Sequence, residues 1–114
     1  MDPCLFCEIA AGSIPAEKVY SDEFLVAFRD IDPQAPTHLL VIPRCHLGGP
    51  NALEPEHETL MGKLLTTATV IARKEGLQER GYRMVINCGE EGGQTVDHLH
   101  LHIIGGRRMA WPPG

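Results

Sequence analysis

The chain has 114 residues, 43% of them apolar and 22% charged, with ten basic against fifteen acidic side chains and a formal charge of −5. This is the composition of one soluble globular domain, and an acidic balance with Lys and Arg scattered along the chain argues against a surface for duplex nucleic acid while leaving a phosphorylated small molecule open. No run approaches the ~20 apolar residues of a membrane span, and Met1-Asp2-Pro3-Cys4 lacks the basic-then-apolar pattern of a secretory signal, so the expected address is the cytoplasm.

In chain order, residues 4–11 followed by Gly12 and Pro15 read as a short helix with Phe6 and Ile9 inward. Residues 18–20 and 24–28 form an expected hairpin around Ser21-Asp22-Glu23, and 30–36 a proline-punctuated loop. Residues 37–42 are apolar apart from Thr37 and His38, the mark of a strand covered on both faces, and Pro43 ends it. After a loop through Gly48-Gly49-Pro50, Pro55 suits a helix's first turn. Apolar residues then recur at Leu60, Met61, Leu64, Leu65, Ala68, Ile71 and Ala72 until Gly76, which predicts the one long amphipathic helix. Residues 82–87 predict a fourth strand, and Cys88-Gly89-Glu90-Glu91-Gly92-Gly93-Gln94 a glycine-rich connection. The expected fold class is α+β with a five-stranded antiparallel sheet, one long helix and one short one.

The expected fifth strand carries His98-Leu99-His100-Leu101-His102, half of the six histidines in five residues. A period of two sets the three imidazoles on one face and the leucines on the other. Imidazole can attack, take a proton or bind a metal near neutral pH. Alternate strand residues stand about 6.5–7 Å apart, so one ion cannot collect all three rings, and the run is expected to divide its work. Four cysteines in a reducing compartment point to metal or burial rather than bridges. Cys4 and Cys7 form a C-x-x-C without the strand–helix–strand context of a redox motif, and Cys45 and Cys88 read as core thiols.

The motif His98-Leu99-His100-Leu101-His102-Ile103-Ile104 resembles at every position the signature of the histidine triad (HIT) family, in its Hint-type purine nucleoside phosphoramidase branch. Further similarity lies in Asp30-Ile31, Pro33-Gln34-Ala35-Pro36-Thr37-His38, Asn87, Gly92-Gly93-Gln94 and Trp111-Pro112-Pro113-Gly114. The resemblance implies a HIT-like fold over residues 1–114. It also implies a hydrolase that cleaves adenosine and other purine nucleoside 5′-phosphoramidates, and acyl-adenylates, through a nucleotidyl-histidine on His100. His38, His98 and His102 complete the implied catalytic set, with His102, charged, steadying the oxyanion.

For the nucleotide the resemblance implies Phe6, Ile9, Ile14, Phe28 and Ile31 around the base, residues that on sequence alone read equally as core. Asp30 falls on the ribose, Asn87, Gly93 and Thr95 near the phosphate, and Trp111 at the leaving-group side. A C-x-x-C with two distant histidines supplies a tetrahedral set, and the resemblance implies structural zinc on Cys4, Cys7, His46 and His98, with no catalytic metal required. It further implies a homodimer whose sheets join edge to edge, the helix face centred on Leu64 buried there and residues 105–114 reaching towards the partner's site. Competing readings are a non-catalytic nucleotide-binding scaffold and a dinucleoside polyphosphate hydrolase.

Overall fold

A computed structural model describes residues 4–114; Met1-Asp2-Pro3, part of the segment weighed above for a signal, lies outside the described residues. The elements are α1 (Leu5–Ala11), β1 (Lys18–Ser21), β2 (Leu25–Arg29), β3 (Thr37–Pro43), α2 (Glu58–Lys74), β4 (Tyr82–Val85) and β5 (Leu101–Gly105). All five strands are antiparallel to their neighbours in the order β1-β2-β3-β5-β4, the expected sheet. The helix α2 carries the chain past β3 to the far edge, and β5 returns to fill the gap between β3 and β4. No helix among the described residues is long and apolar enough to cross a membrane.

The strand alternation divides the core in two. Leu25, Ala27, Leu39, Val41, Leu101 and Ile103 face α2 and pack on its Leu64, Ala68, Ile71 and Ala72. Val26, Phe28, Leu40 and Ile42 face the other way, against Phe6, Ile9 and Ala10 of α1. β3 is thus covered on both sides, as its unbroken apolar run requires.

Several boundaries and burials differ from the sequence expectation; Pro55 opens a short 3-10 turn (Pro55–His57) rather than the first turn of α2, which starts at Glu58. The ladder of β5 begins at Leu101, not at His98, because its partner β3 reaches Pro43, and the His98 ring occupies that residue's carbonyl (Nε2 to O 2.8 Å) where a ladder hydrogen bond would continue. The alternation nevertheless persists through the irregular stretch: Leu99 lies in the α2-side core while the rings of His98 and His100 meet Phe6 on the opposite face. β4 stops at Val85, leaving Asn87 beyond the sheet. Leu64, expected at a subunit contact, is 1% exposed and packs inside its own chain, so the outward residue of that turn is Leu65. Cys45 is exposed and Cys88 half-buried rather than core, since both lie in loops beyond the strand ends; the loop after β3 leaves Cys45 and His46 at the surface, with the His46 ring turned to His98.

Candidate active site and metal centre

Two adjoining sites share the α1 side of the sheet. In the first, Cys4 N-caps α1, its Sγ accepting the Cys7 N–H at 3.4 Å, which brings both thiols to one end of the helix. The His98 Nδ1 lies 3.3 Å from Cys4 Sγ, 3.5 Å from Cys7 Sγ and 3.2 Å from His46 Nδ1, and His46 Nδ1 is 3.4 Å from Cys7 Sγ. All four ligand atoms lie within 4.8 Å of one another.

These separations test the metal expectation. Ligands about 2.3 Å (S) and 2.0 Å (N) from a tetrahedral ion stand about 3.3–3.8 Å from each other, close to the four separations just given. Hydrogen bonds explain the approach poorly, because two Nδ1 atoms and two sulfurs crowd one point with few protons to share. The His98 Nε2–H donates to the Pro43 carbonyl, which fixes the ring's tautomer and leaves Nδ1 bare, the second-shell arrangement of a ligating histidine. Burial pushes His98 below the ordinary imidazole value, keeping it neutral, and raises the Cys7 thiol, a penalty that a cation at the centre would reverse.

In the second site the backbone fixes the protons. A carbonyl can only accept, so the 2.6 Å contact between His100 Nδ1 and the His98 carbonyl places the ring's hydrogen on Nδ1 and leaves Nε2 with its lone pair. A peptide N–H can only donate, so His38 Nδ1, 3.0 Å from the Gln34 nitrogen, is bare and Nε2 carries hydrogen. That Nε2–H donates across 2.9 Å to His102 Nδ1, which leaves the His102 hydrogen on Nε2. His102 Nε2 is buried without a partner among the described residues. A lone pair on His100 and an N–H on His102 therefore stand beside each other, their rings 5.0 Å apart.

Burial, with His100 and His38 beside it, holds His102 down to about 4, so the unliganded site presents a neutral donor there rather than the cation expected from the sequence. Burial also lowers His38, opposed by Asp30 and Asp32. Asp30, His38 and His102 group closely as well, but the rings close on each other through one hydrogen, with Asp30 Oδ2 3.5 Å from His38 Nε2.

A cleft of about 240 Å³ opens onto His100 and His102 and is lined further by Phe6, Phe28, Asp30, Ile31, Leu40, Thr95 and Val96, among others. Most of the expected nucleotide residues thus converge. Ile9 and Ile14 do not reach it; they pack behind Phe6 in the α1-side core. Gly93 stays out because its N–H is engaged by the Glu90 carbonyl at 3.0 Å within the turn, and φ of +83° there is the glycine conformation that closes that turn. Asn87 is half-buried past the end of β4; counting on from Val85 opposite His102, it falls level with His100. Trp111 is 83% exposed, on a tail held by Arg83 Nη2 donating to the Ala110 carbonyl.

One residue of the site had no role assigned from the sequence, although it belongs to the Gly92-Gly93-Gln94 resemblance: Gln94. Its Nε2 donates to the Gly48 and Val96 carbonyls and its Oε1 accepts the Gly89 N–H, tying the β4–β5 connection to itself and to the loop after β3 and setting Thr95 and Val96 at the cleft. A lone Gln in a glycine run has no periodicity to reveal it.

A family model for the HIT domain matches residues 11–109. Among curated proteins the chain is 50% identical over 114 residues to a 14 kDa zinc-binding protein of Zea mays, covering 98% of this chain and 88% of that one. It is 46% identical over 105 residues to the purine nucleoside phosphoramidase of Escherichia coli, covering 92% and 88%. Among solved structures, a HIT family hydrolase from Legionella pneumophila superposes with a TM-score of 0.97 at 52% identity, covering 98% of this chain and all of that one.

Proposed function

Since the chain belongs to the HIT domain family, we propose that it is a hydrolase of purine nucleoside 5′-phosphoramidates, and of acyl-adenylates, with His100 as the nucleophile. The observation that carries this reading is the His98 carbonyl at 2.6 Å from His100 Nδ1, which holds the ring's hydrogen on Nδ1 and leaves the Nε2 lone pair of the neutral ring for the cleft. That lone pair forms a bond to the α-phosphorus as the bond from phosphorus to the amine nitrogen breaks, the leaving nitrogen taking up a proton from solvent. Water then cleaves the nucleotidyl-histidine, so the net reaction takes up one water and releases the nucleoside monophosphate and the amine. The buried, unpartnered His102 N–H is aimed where a phosphoryl oxygen gains charge. Phe6, Phe28 and Ile31 offer apolar surface to the base and the Asp30 carboxylate an acceptor for the ribose hydroxyls, while Thr95 supplies a hydroxyl near the phosphate. The name of the Escherichia coli relative supports the substrate class.

Cys4, Cys7, His46 and His98 would hold zinc as a closed tetrahedral site, consistent with the name of the maize relative. Such an ion contributes structure: it ties α1, and with it Phe6, to the residue whose carbonyl orients His100. Among the described residues the β4 edge has no partner strand, and we assign it to a homodimer contact that joins two sheets and covers Trp111.

The deciding experiment is to trap the intermediate by mixing the protein with an adenosine phosphoramidate and quenching in alkali within the first turnover. The expected result is a mass gain of one adenosine monophosphate located on His100. Turnover with the adduct on another residue, or no turnover, defeats the assignment.

A further inference from the structure

We infer that Arg107 is a positioning residue for this site: it holds the Gln34 backbone in place, and Gln34 selects the tautomer of His38 and so the proton that His102 turns to the cleft. The inference rests on the proposed hydrolase reading only for its catalytic consequence.

The loop between β2 and β3 carries the Gln34 backbone. Residues 31–36 make no ladder, and most of them are exposed. Their hydrogen bonds are short-range: Asp32 N–H to Asp30 Oδ1 at 2.8 Å, Gln34 Nε2 to the Asp32 carbonyl at 3.0 Å and Gln34 N–H to His38 Nδ1 at 3.0 Å. Among the described residues, the one hydrogen bond reaching this segment from elsewhere in the chain is Arg107 Nε–H to the Gln34 carbonyl, also at 3.0 Å. Gln34 is therefore pinned at both ends of its backbone, by His38 at the N–H and by Arg107 at the carbonyl.

The turn that delivers Arg107 is built for close approach. Gly106 has φ of +91°, and a Cβ on it would meet the Pro36 Cβ at 2.9 Å, so the segment after β5 lies directly against the far end of the loop. The guanidinium is pre-organised as well, because Arg107 Nη1 donates to the Arg108 carbonyl at 3.3 Å. If the hold were lost, the loop could carry the Gln34 N–H away from His38. Hydrogen could then move to His38 Nδ1, leaving a lone pair on Nε2 facing another on His102 Nδ1. The stable answer to two facing lone pairs is to move the His102 hydrogen to Nδ1, which strips the donor from the buried nitrogen. A contact at the surface thus decides whether a donor or an acceptor faces the phosphoryl group.

The test uses Arg107→Met, which keeps the stem and loses the donor, and Arg107→Lys, which restores one. Two-bond ¹H–¹⁵N correlation spectra of the unliganded full-length protein read each ring's tautomer without any turnover. The expected native state is Nε2–H on both His38 and His102. R107M is expected to show exchange between tautomers on both rings and a kcat on an adenosine phosphoramidate lower by about fivefold, with KM within about twofold. R107K is expected to return both towards native. Native-like tautomers in a folded R107M overturn the inference, as does a native His102 protonated on Nδ1. A tautomer change with unaltered kcat overturns its catalytic part. If the native protein turns over nothing while R107M still shifts the tautomers, the hydrolase reading falls and the hold by Arg107 stands.

Discussion

His100 Nδ1 lies 2.6 Å from the carbonyl oxygen of His98, so the residue with the bare ring nitrogen facing the cleft is oriented by the residue whose own ring meets two cysteines and a second histidine. The two adjoining sites are joined through that one residue, the ring serving one and the main chain the other.

Replacing His100 by Gln removes the lone pair while keeping a polar side chain. Steady-state assay should show kcat lower by about a thousandfold or more, whereas titration with adenosine monophosphate should give a dissociation constant within about threefold of native, because the base and ribose contacts remain. Residual turnover above a tenth of native would remove His100 from the role of nucleophile.

Elemental analysis of the native protein should find about one zinc per chain, and a Cys4→Ser, Cys7→Ser double variant should carry almost none. Loss of the ion is expected to lower the midpoint of thermal unfolding by about 5 °C or more, since metal-binding free energy is folding free energy where ligands come from distant segments. Native protein recovered metal-free and equally stable would rule out a structural ion at this cluster.

Stability should fall with acid in a window set by His102. Its folded value is about 4 against an ordinary 6.5, so both states are neutral above pH 6.5 and the full stability is present there. As the pH drops towards 4 the unfolded chain takes a proton that the folded site refuses, a loss of about 2 kcal/mol by pH 5. Urea unfolding at pH 7 and pH 5 should show a smaller drop in His102→Asn than in native protein. Equal drops would mean that the neutral ring is not the source.

Sedimentation should give twice the 12.5 kDa chain mass if the β4 edges join. A Trp111→Ala variant should keep that mass while changing turnover among substrates with different amines. A single-chain mass at micromolar concentration would leave the edge unpaired and Trp111 in solvent.

The alternation of His with Leu from residue 98 to 102 made both faces of the key strand legible, because period two needs no knowledge of the partner. Where the ladder starts was not legible: it depends on the His98 ring taking the carbonyl of Pro43, 55 residues away in sequence, while the Leu99 N–H turns to the Leu47 carbonyl. Phe6 and Ile9 illustrate a second limit. They share the buried side of α1, yet only Phe6 reaches the cleft, and a helical period cannot tell the tip of a face from its middle. Gln94 and Arg107 mark a third, since each acts through main-chain carbonyls that no side-chain pattern encodes. His102 was found but its charge was not, because burial, unseen in the sequence, sets it.

The strand order has a temporal side. β5 follows the other four strands in sequence but sits between β3 and β4, so a growing polypeptide exposes two unsatisfied edges until its histidine-bearing segment emerges. The sheet closes only when that segment slots in, and closure joins residues far apart along the chain, a slow kind of step. The segment that brings His100 and His102 to the cleft is thus the same one that covers the open edges of β3 and β4.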